Sequence, residues 1–258
     1  MRVRSFILGA AALATGATAT AQEINFIACP VYRDTNNGRK SGCWLASDPA
    51  TGIRYDVTAA PTKADWNKAI LVEGFAAPEK GNPCGATVIE PVRVSILEQP
   101  CTRHMLPAEG YEGRFFTLPA RNVRPLYEDR KRPEKPFLGG RFTIPFDLNK
   151  TFITYQISDY YLDATINYAL DVQPALIEIT GYAQTAPRTI SGQTLAEKLE
   201  IAQARADVVR RALVMRGVPE TNIRIVPPRR GAAVYVEEAF DGLESPTERR
   251  VDVLITPR

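Results

Sequence analysis

One histidine, His104, is all that this 258-residue chain offers as a side chain that titrates near neutral pH, and it has only four cysteines. There is no His-Glu-x-x-His, no Gly-x-Ser-x-Gly and no glycine-rich loop after a strand, so metallopeptidase, serine-hydrolase and phosphate-loop chemistry have no carrier. An acid-base histidine needs a partner that the neighbourhood of His104 does not supply, so it reads as a surface or hydrogen-bonded residue. Cys-x-x-Cys and Cys/His spacings are missing, which removes zinc. Asp34 lacks the regular acidic ligands of a calcium loop. The adjacent Glu237 and Glu238 read as solvated surface. No enzyme activity, metal or cofactor is expected. Excess charge of one sign is also missing. A net charge of +3 speaks against a strongly basic nucleic-acid binder, and 45% hydrophobic with 24% charged residues excludes disorder and a polytopic membrane protein.

The only long apolar run lies at the start. Residues 1–21 have a short basic beginning, an apolar and small-residue stretch from Phe6 to about Ala17, and Ala19-Thr20-Ala21 before Gln22. This is the pattern of a secretory signal peptide, and it falls short of the roughly 20 apolar residues that cross a hydrocarbon core. Cleavage after Ala21 is expected, leaving no transmembrane segment and a charge of 30 minus 29, because Arg2 and Arg4 leave with the signal. A lipid anchor on Cys29 is not expected, since Glu23 and Asn25 separate it from the apolar core and Pro30 follows. An exported chain meets an oxidising compartment, so Cys29, Cys43, Cys84 and Cys101 are expected as two disulfides. Of the three connectivities, the short local loops are preferred: Cys29 with Cys43, stapling a hairpin whose turn is 34–38, and Cys84 with Cys101.

Residues 22–126 read as a small all-β domain, with short strands near 26–32, 43–46, 53–57, 69–75 and 87–97 broken by turns. A barrel or sandwich of this size buries only part of its surface, which gives two disulfides work to do. Trp44 and Trp66 read as core or rim anchors. Residues 127–140 form a charged, Pro-rich linker; positions 127–136 hold seven charged residues and two prolines.

Residues 141–258 change to strand, helix, strand, helix and strands. A strand at 142–146 precedes a helix from Ser158, capped by Ser158-Asp159, to Pro174; Tyr161, Leu162, Thr165, Ile166 and Ala169 are its inward face. A second strand covers 176–180 and ends at Gly181. Thr194-Leu-Ala-Glu197 reads as a capping box opening a second helix, whose apolar stripe is Leu195, Leu199, Ala202, Ala206, Val209 and Leu213. Strands at 223–226 and 250–256 complete the sheet. The fold class is α+β.

This order, with Ile177-Glu-Ile-Thr-Gly-Tyr182, Ile201-Ala-Gln-Ala-Arg205-Ala-Asp-Val-Val209 and Glu248-Arg-Arg-Val-Asp-Val253, resembles the OmpA-like C-terminal domain over about residues 141–258. The resemblance implies a βαβαβ sandwich, a periplasmic location associated with the outer membrane or cell wall, and non-covalent binding of the peptidoglycan stem peptide. In that family an aspartate after the second strand and a helix arginine grip the diaminopimelate residue. Arg205 matches the helix arginine, and Arg249 or Arg250 the arginine pair before the last strand. Where the family has Gly-His-Thr-Asp, this chain has Gly181-Tyr182-Ala183-Gln184, so Gln184 and Tyr182 join the candidates. An amide in place of a carboxylate weakens such a contact by roughly 1 to 2 kcal/mol. The loop 185–193 is longer than usual there, and Glu248 replaces an asparagine. Two functions follow: a peptidoglycan-binding envelope protein that meets a further envelope protein through residues 22–126, or a degenerate module that has lost the wall ligand and acts as a protein-interaction scaffold.

Overall fold

A computed structural model describes residues 22–34, 42–108, 110, 132–153 and 157–258. The expected signal peptide, the 34–38 turn apart from Asp34, and residues 127–131 of the expected linker lie outside these residues. The N-terminal half is all-β: β1 (Ile24–Ala28), β2 (Val31–Arg33), β3 (Cys43–Ser47), β4 (Arg54–Asp56), β5 (Lys68–Ala76), β6 (Thr87–Pro100) and β7 (Met105–Leu106). They form one seven-stranded sheet in the order β1-β5-β6-β4-β3-β2-β7. β5, flanked by β1 and β6, is buried on both faces over Ala69–Gly74, as the apolar run Ala69–Val72 demands. Phe26, Tyr55, Ile70, Val72, Ile89 and Val94 form the main core. Tyr32, Trp44 and Trp66 pack ring against ring with centroids 4.7–5.2 Å apart, and the Arg103 guanidinium lies 4.1 Å over Trp66. Both tryptophans are thus packing anchors.

Two disulfides form, but with the other pairing: Cys29 with Cys101 and Cys43 with Cys84. The hairpin register explains the correction. Arg33 lies opposite Cys43 and Val31 opposite Leu45, so Cys29 sits at the far end of the hairpin from Cys43. Ala28 and Pro100 instead end on either side of the start of β5, opposite Ile70 and Lys68, which brings Cys29 and Cys101 together. Asp56 lies against the Cys43–Cys84 bridge, but both sulfurs are spent in the bond. Mass spectrometry of a non-reduced digest should link the Cys29 peptide to the Cys101 peptide; a Cys29–Cys43 link would contradict this topology.

The C-terminal half contains β8 (Gly140–Pro145), α1 (Ser158–Val172), β9 (Leu176–Ala183), β10 (Arg188–Ile190), β11 (Gln193–Leu195), α2 (Glu200–Met215), β12 (Ile223–Arg230), α3 (Glu237–Phe240) and β13 (Arg250–Thr256). The main sheet runs β12-β9-β13-β8. Both long helices cover one face, and Leu162, Ile166, Ala169, Ala206, Val209 and Leu213 pack onto Ile144, Ile177, Ile179, Val251, Val253 and Ile255. Residues of β9 alternate between half-buried and buried, as a strand with one covered face should.

Three local expectations are corrected. Ser158 does not cap α1; its buried hydroxyl donates to the Pro145 carbonyl at 2.6 Å and ties the helix to β8. β9 does not stop at Gly181 but continues to Ala183, and glycine is needed there because a Cβ would meet the Ala202 carbonyl oxygen at 1.9 Å. The capping box does not open α2. Thr194 belongs to β11, which pairs with β10 around Ser191 and Gly192, both at positive φ, and the helix begins at Glu200. The long loop therefore holds a hairpin.

That hairpin helps join the two halves. Ile190 and Leu148 pack into a cluster with Ile27, Ala69, Leu71 and Leu97. The Ile27 N–H donates to Ser191 Oγ at 3.0 Å, the Leu148 N–H to Ser95 Oγ at 3.0 Å, and Thr62 Oγ1 to Asp147 Oδ2 at 2.7 Å. Arg93 reaches across to the Ala239 carbonyl and to Asp241 at 3.0 and 2.8 Å. Among the described residues, no helix is long and apolar enough to cross a membrane.

Candidate functional site

Arg205 lies on the buried side of α2, between Ala202 and Val209, so its side chain must run along the sheet to the end of β9. It is wholly buried. Its Nε donates to the Lys150 carbonyl at 2.9 Å; Nη1 donates to the Tyr182 carbonyl at 3.0 Å and to Glu197 Oε2 at 2.9 Å; Nη2 donates to the Asp147 carbonyl at 3.0 Å and to Glu197 Oε1. A guanidinium has five N–H groups, and all five are engaged. Burial lowers the pKa of this guanidinium from its ordinary value, and the Glu197 carboxylate opposes that effect.

Glu197 is equally committed. Beyond its fork with Arg205, Oε1 accepts the Asn149 N–H at 2.7 Å and Oε2 the Gln184 N–H at 2.9 Å. Four bonds fill the capacity of a carboxylate. The residue expected to close a capping box is the counter-ion of the candidate ligand-binding arginine.

Arg249 occupies a second sealed position next to it. Nη1 donates to Gln184 Oε1 at 2.6 Å and to Glu73 Oε1 at 3.3 Å, and Nη2 donates to Glu73 Oε2. Glu73 belongs to β5 of the N-terminal sheet and is wholly buried. Burial alone would lower the Arg249 pKa, but the Glu73 carboxylate, helped by Glu197 and Asp147, leaves it raised. Gln184, at the position where the family has aspartate, turns its backbone N–H to Glu197 and its side-chain oxygen to Arg249. Arg249 Nε, Gln184 Nε2 and Glu248 Oε2 are buried without a partner. Burial pushes the Glu248 carboxyl above the usual carboxylate range, against the pull of Arg188 and Arg249.

Tyr182 and Arg250 do not join this cluster. Their side chains occupy the sheet face away from the helices, where the Arg250 guanidinium lies 4.1 Å over the Tyr182 ring. Arg250 donates to Asp252 Oδ1 at 3.2 Å and to the Thr247 carbonyl at 2.6 Å. Asp252 also accepts from Arg141 at 2.9 Å and from Thr143 at 3.1 Å. The five candidates therefore divide into Arg205, Arg249 and Gln184, sealed at the seam, and Tyr182 and Arg250, on the open face. His104 is exposed, and its carbonyl accepts the Tyr32 N–H at 3.1 Å.

The fold is α+β, an all-β half with two disulfides followed by a βαβαβ sandwich. Solved structures similar to the chain include an OmpA-like domain, a peptidoglycan-associated lipoprotein and a cell wall anchor. One is the OmpA-like domain of FopA1 from Francisella tularensis subsp. tularensis SCHU S4, with 17% identity, covering 46% of this chain and 73% of that one at a TM-score of 0.34. A second is the peptidoglycan-associated lipoprotein from Burkholderia pseudomallei, with 21% identity, 45% and 90% coverage and a TM-score of 0.33. A third is the cell wall anchor of the T6SS from Pseudomonas aeruginosa, with 15% identity, 46% and 82% coverage and a TM-score of 0.35. No family model matches the chain, and no curated protein matches it.

Proposed function

We propose that this chain is an exported, non-enzymatic envelope protein whose OmpA-like half has its ligand-gripping cations closed by the chain's own carboxylates, and which acts as an interaction scaffold. The observation that carries this reading is Arg205: every N–H it has is bonded within the chain, and none of its surface is exposed. A stem-peptide carboxylate would have to evict Glu197, which is held beyond its fork with Arg205 by the Asn149 and Gln184 N–H groups. At Arg249 the carboxylate position is filled by Glu73. Two disulfides favour an oxidising compartment, in keeping with cleavage of residues 1–21 and residence in the periplasm. The division into residues 22–126, a linker at 127–140 and residues 141–258 belongs to this reading, with the first half serving as a lid on the second.

Co-sedimentation with purified sacculi tests it. The exported protein should remain in the supernatant at the level of a buffer blank. Pelleting that saturates with protein concentration would return the chain to the peptidoglycan-binding class.

A further inference from the structure

With the helix-side cations enclosed, the opposite face of the C-terminal sheet remains. We infer that this open face docks a short acidic segment of a protein partner, an inference that rests on the scaffold reading above. The register lays the side chains out in rows across the strands. Arg229 of β12 stands opposite Tyr182, helped by the irregularity between Val226 and Arg229; Val226 stands opposite Thr180, and Arg224 opposite Glu178. On the other side of β9, Asp252 faces Thr180 and Leu254 faces Glu178; beyond β13, Thr143 faces Asp252 and Arg141 faces Leu254. A cleft of about 260 Å³ opens on this face, its lining setting Arg141 and Arg229 against Glu178 and Asp252 around Tyr182 and Leu254.

The charge of this face is unbalanced. Arg141, Arg224, Arg229 and Arg250 stand against Glu178 and Asp252, four minus two, or +2. Glu178 is taken by Arg224, and the single Asp252 carboxylate is shared between Arg141 and Arg250. Arg141 stays 69% exposed in its side chain, and exposed Arg229 forms no ion pair with a described residue. The Arg229 guanidinium, unpaired among the described residues, and the solvent-facing part of Arg141, whose Nη2 is held by Asp252, therefore flank a floor formed by Val226, Leu254 and the Tyr182 ring. Forked cations over a partly apolar floor suit carboxylates on an extended chain, because each fork can hold one carboxylate by two parallel bonds.

Size selects a segment rather than a globular surface. Four strands spaced about 4.8 Å apart and four residue steps of about 3.3 Å give a face of about 14 by 13 Å, far below the roughly 800 Å² per partner of a standard interface. A second copy of this chain is disfavoured, since it would present the same positive face.

The test is a fluorescence-anisotropy titration of the full exported chain with a labelled, short synthetic Asp/Glu-rich peptide. Saturable binding that weakens with added salt is expected, and Arg229→Glu should weaken it about tenfold or more, while Arg211→Glu on the exposed side of α2 should leave it unchanged. The inference is overturned by a flat titration, by equal binding of a Lys-rich peptide, or by an Arg229→Glu curve that overlays the wild type. It is overturned as well if heparin binds with the same dependence on Arg229, which would make the face a general polyanion patch. Sacculi probe the sealed side and the peptide probes this one, so either proposal can fail without the other.

Discussion

Glu197→Ala should lower the free energy of unfolding by about 3 to 5 kcal/mol, the cost of leaving a buried guanidinium without its counter-ion. Glu197 and Arg205 are both wholly buried at the side chain, so solvent cannot compensate. Buried ion pairs can often be replaced by apolar residues with little loss, but this one should resist such repair. Arg205 and Glu197 together satisfy the carbonyls of Asp147, Lys150 and Tyr182 and the N–H groups of Asn149 and Gln184. Replacing both with apolar residues would take a partner from each of these five groups, of which the Asp147 carbonyl would keep the Lys150 N–H, and each group left unpaired costs about 1 to 3 kcal/mol where it stays buried. The double variant Arg205→Met/Glu197→Leu should thus remain destabilised by about 3 kcal/mol or more. Urea unfolding followed by circular dichroism measures both; a loss under about 1 kcal/mol in the single variant would remove the clasp from the account.

Glu73→Ala should have a comparable effect, about 3 to 5 kcal/mol, for a related reason: Arg249 would keep only the neutral oxygen of Gln184 as a side-chain acceptor. Its location adds a second readout. Glu73 lies in β5 of the N-terminal sheet and Arg249 just ahead of β13 in the C-terminal sheet, so the pair spans the seam. Wild type should unfold in one transition by tryptophan fluorescence, which reports the N-terminal Trp44 and Trp66, and by far-ultraviolet circular dichroism, which reports mainly α1 and α2. In Glu73→Ala the two probes should separate. Glu73→Gln keeps an acceptor and loses the charge, so it should fall between. Coincident transitions with less than about 1 kcal/mol lost would show that the apolar cluster around Leu71, Leu97 and Leu148 holds the halves together unaided.

The sheet pattern and the helix stripe from Ala202 onward were legible because both are periodic, whereas Leu195 falls in β11 and Leu199 is exposed ahead of α2. Val251, Val253 and Ile255 had to share one face of a strand, and Ala202, Ala206, Val209 and Leu213 one side of a helix. The same periodicity also carried the fate of Arg205: it falls three residues after Ala202 and four before Val209, inside the stripe, where a charge is either paired or costly. The family motif pointed to a ligand, whereas the helix geometry pointed to burial. Glu73 had a fainter signature, a single carboxylate following the run Ala69-Ile-Leu-Val72, which reads as a strand buried on both faces and so demands a cation. Its identity could not be found locally, because Arg249 is 176 residues away. Glu197 was misread for a different reason. Thr194-x-x-Glu197 satisfies the capping-box pattern, but pairing of β10 with β11 draws Thr194 into a hairpin and frees the carboxylate to turn inward. The disulfides were misassigned on the same principle: short loops are favoured in an open chain, but strand order decides which cysteines meet.

Arginine-selective modification of the native protein with phenylglyoxal, read by mass spectrometry residue by residue, tests the central claim most directly. Arg205 and Arg249 should stay unmodified until the protein is unfolded, while Arg141, Arg224 and Arg229 react from the start. Modification of Arg205 in the folded protein at the rate of those exposed arginines would contradict the claim that its guanidinium is enclosed.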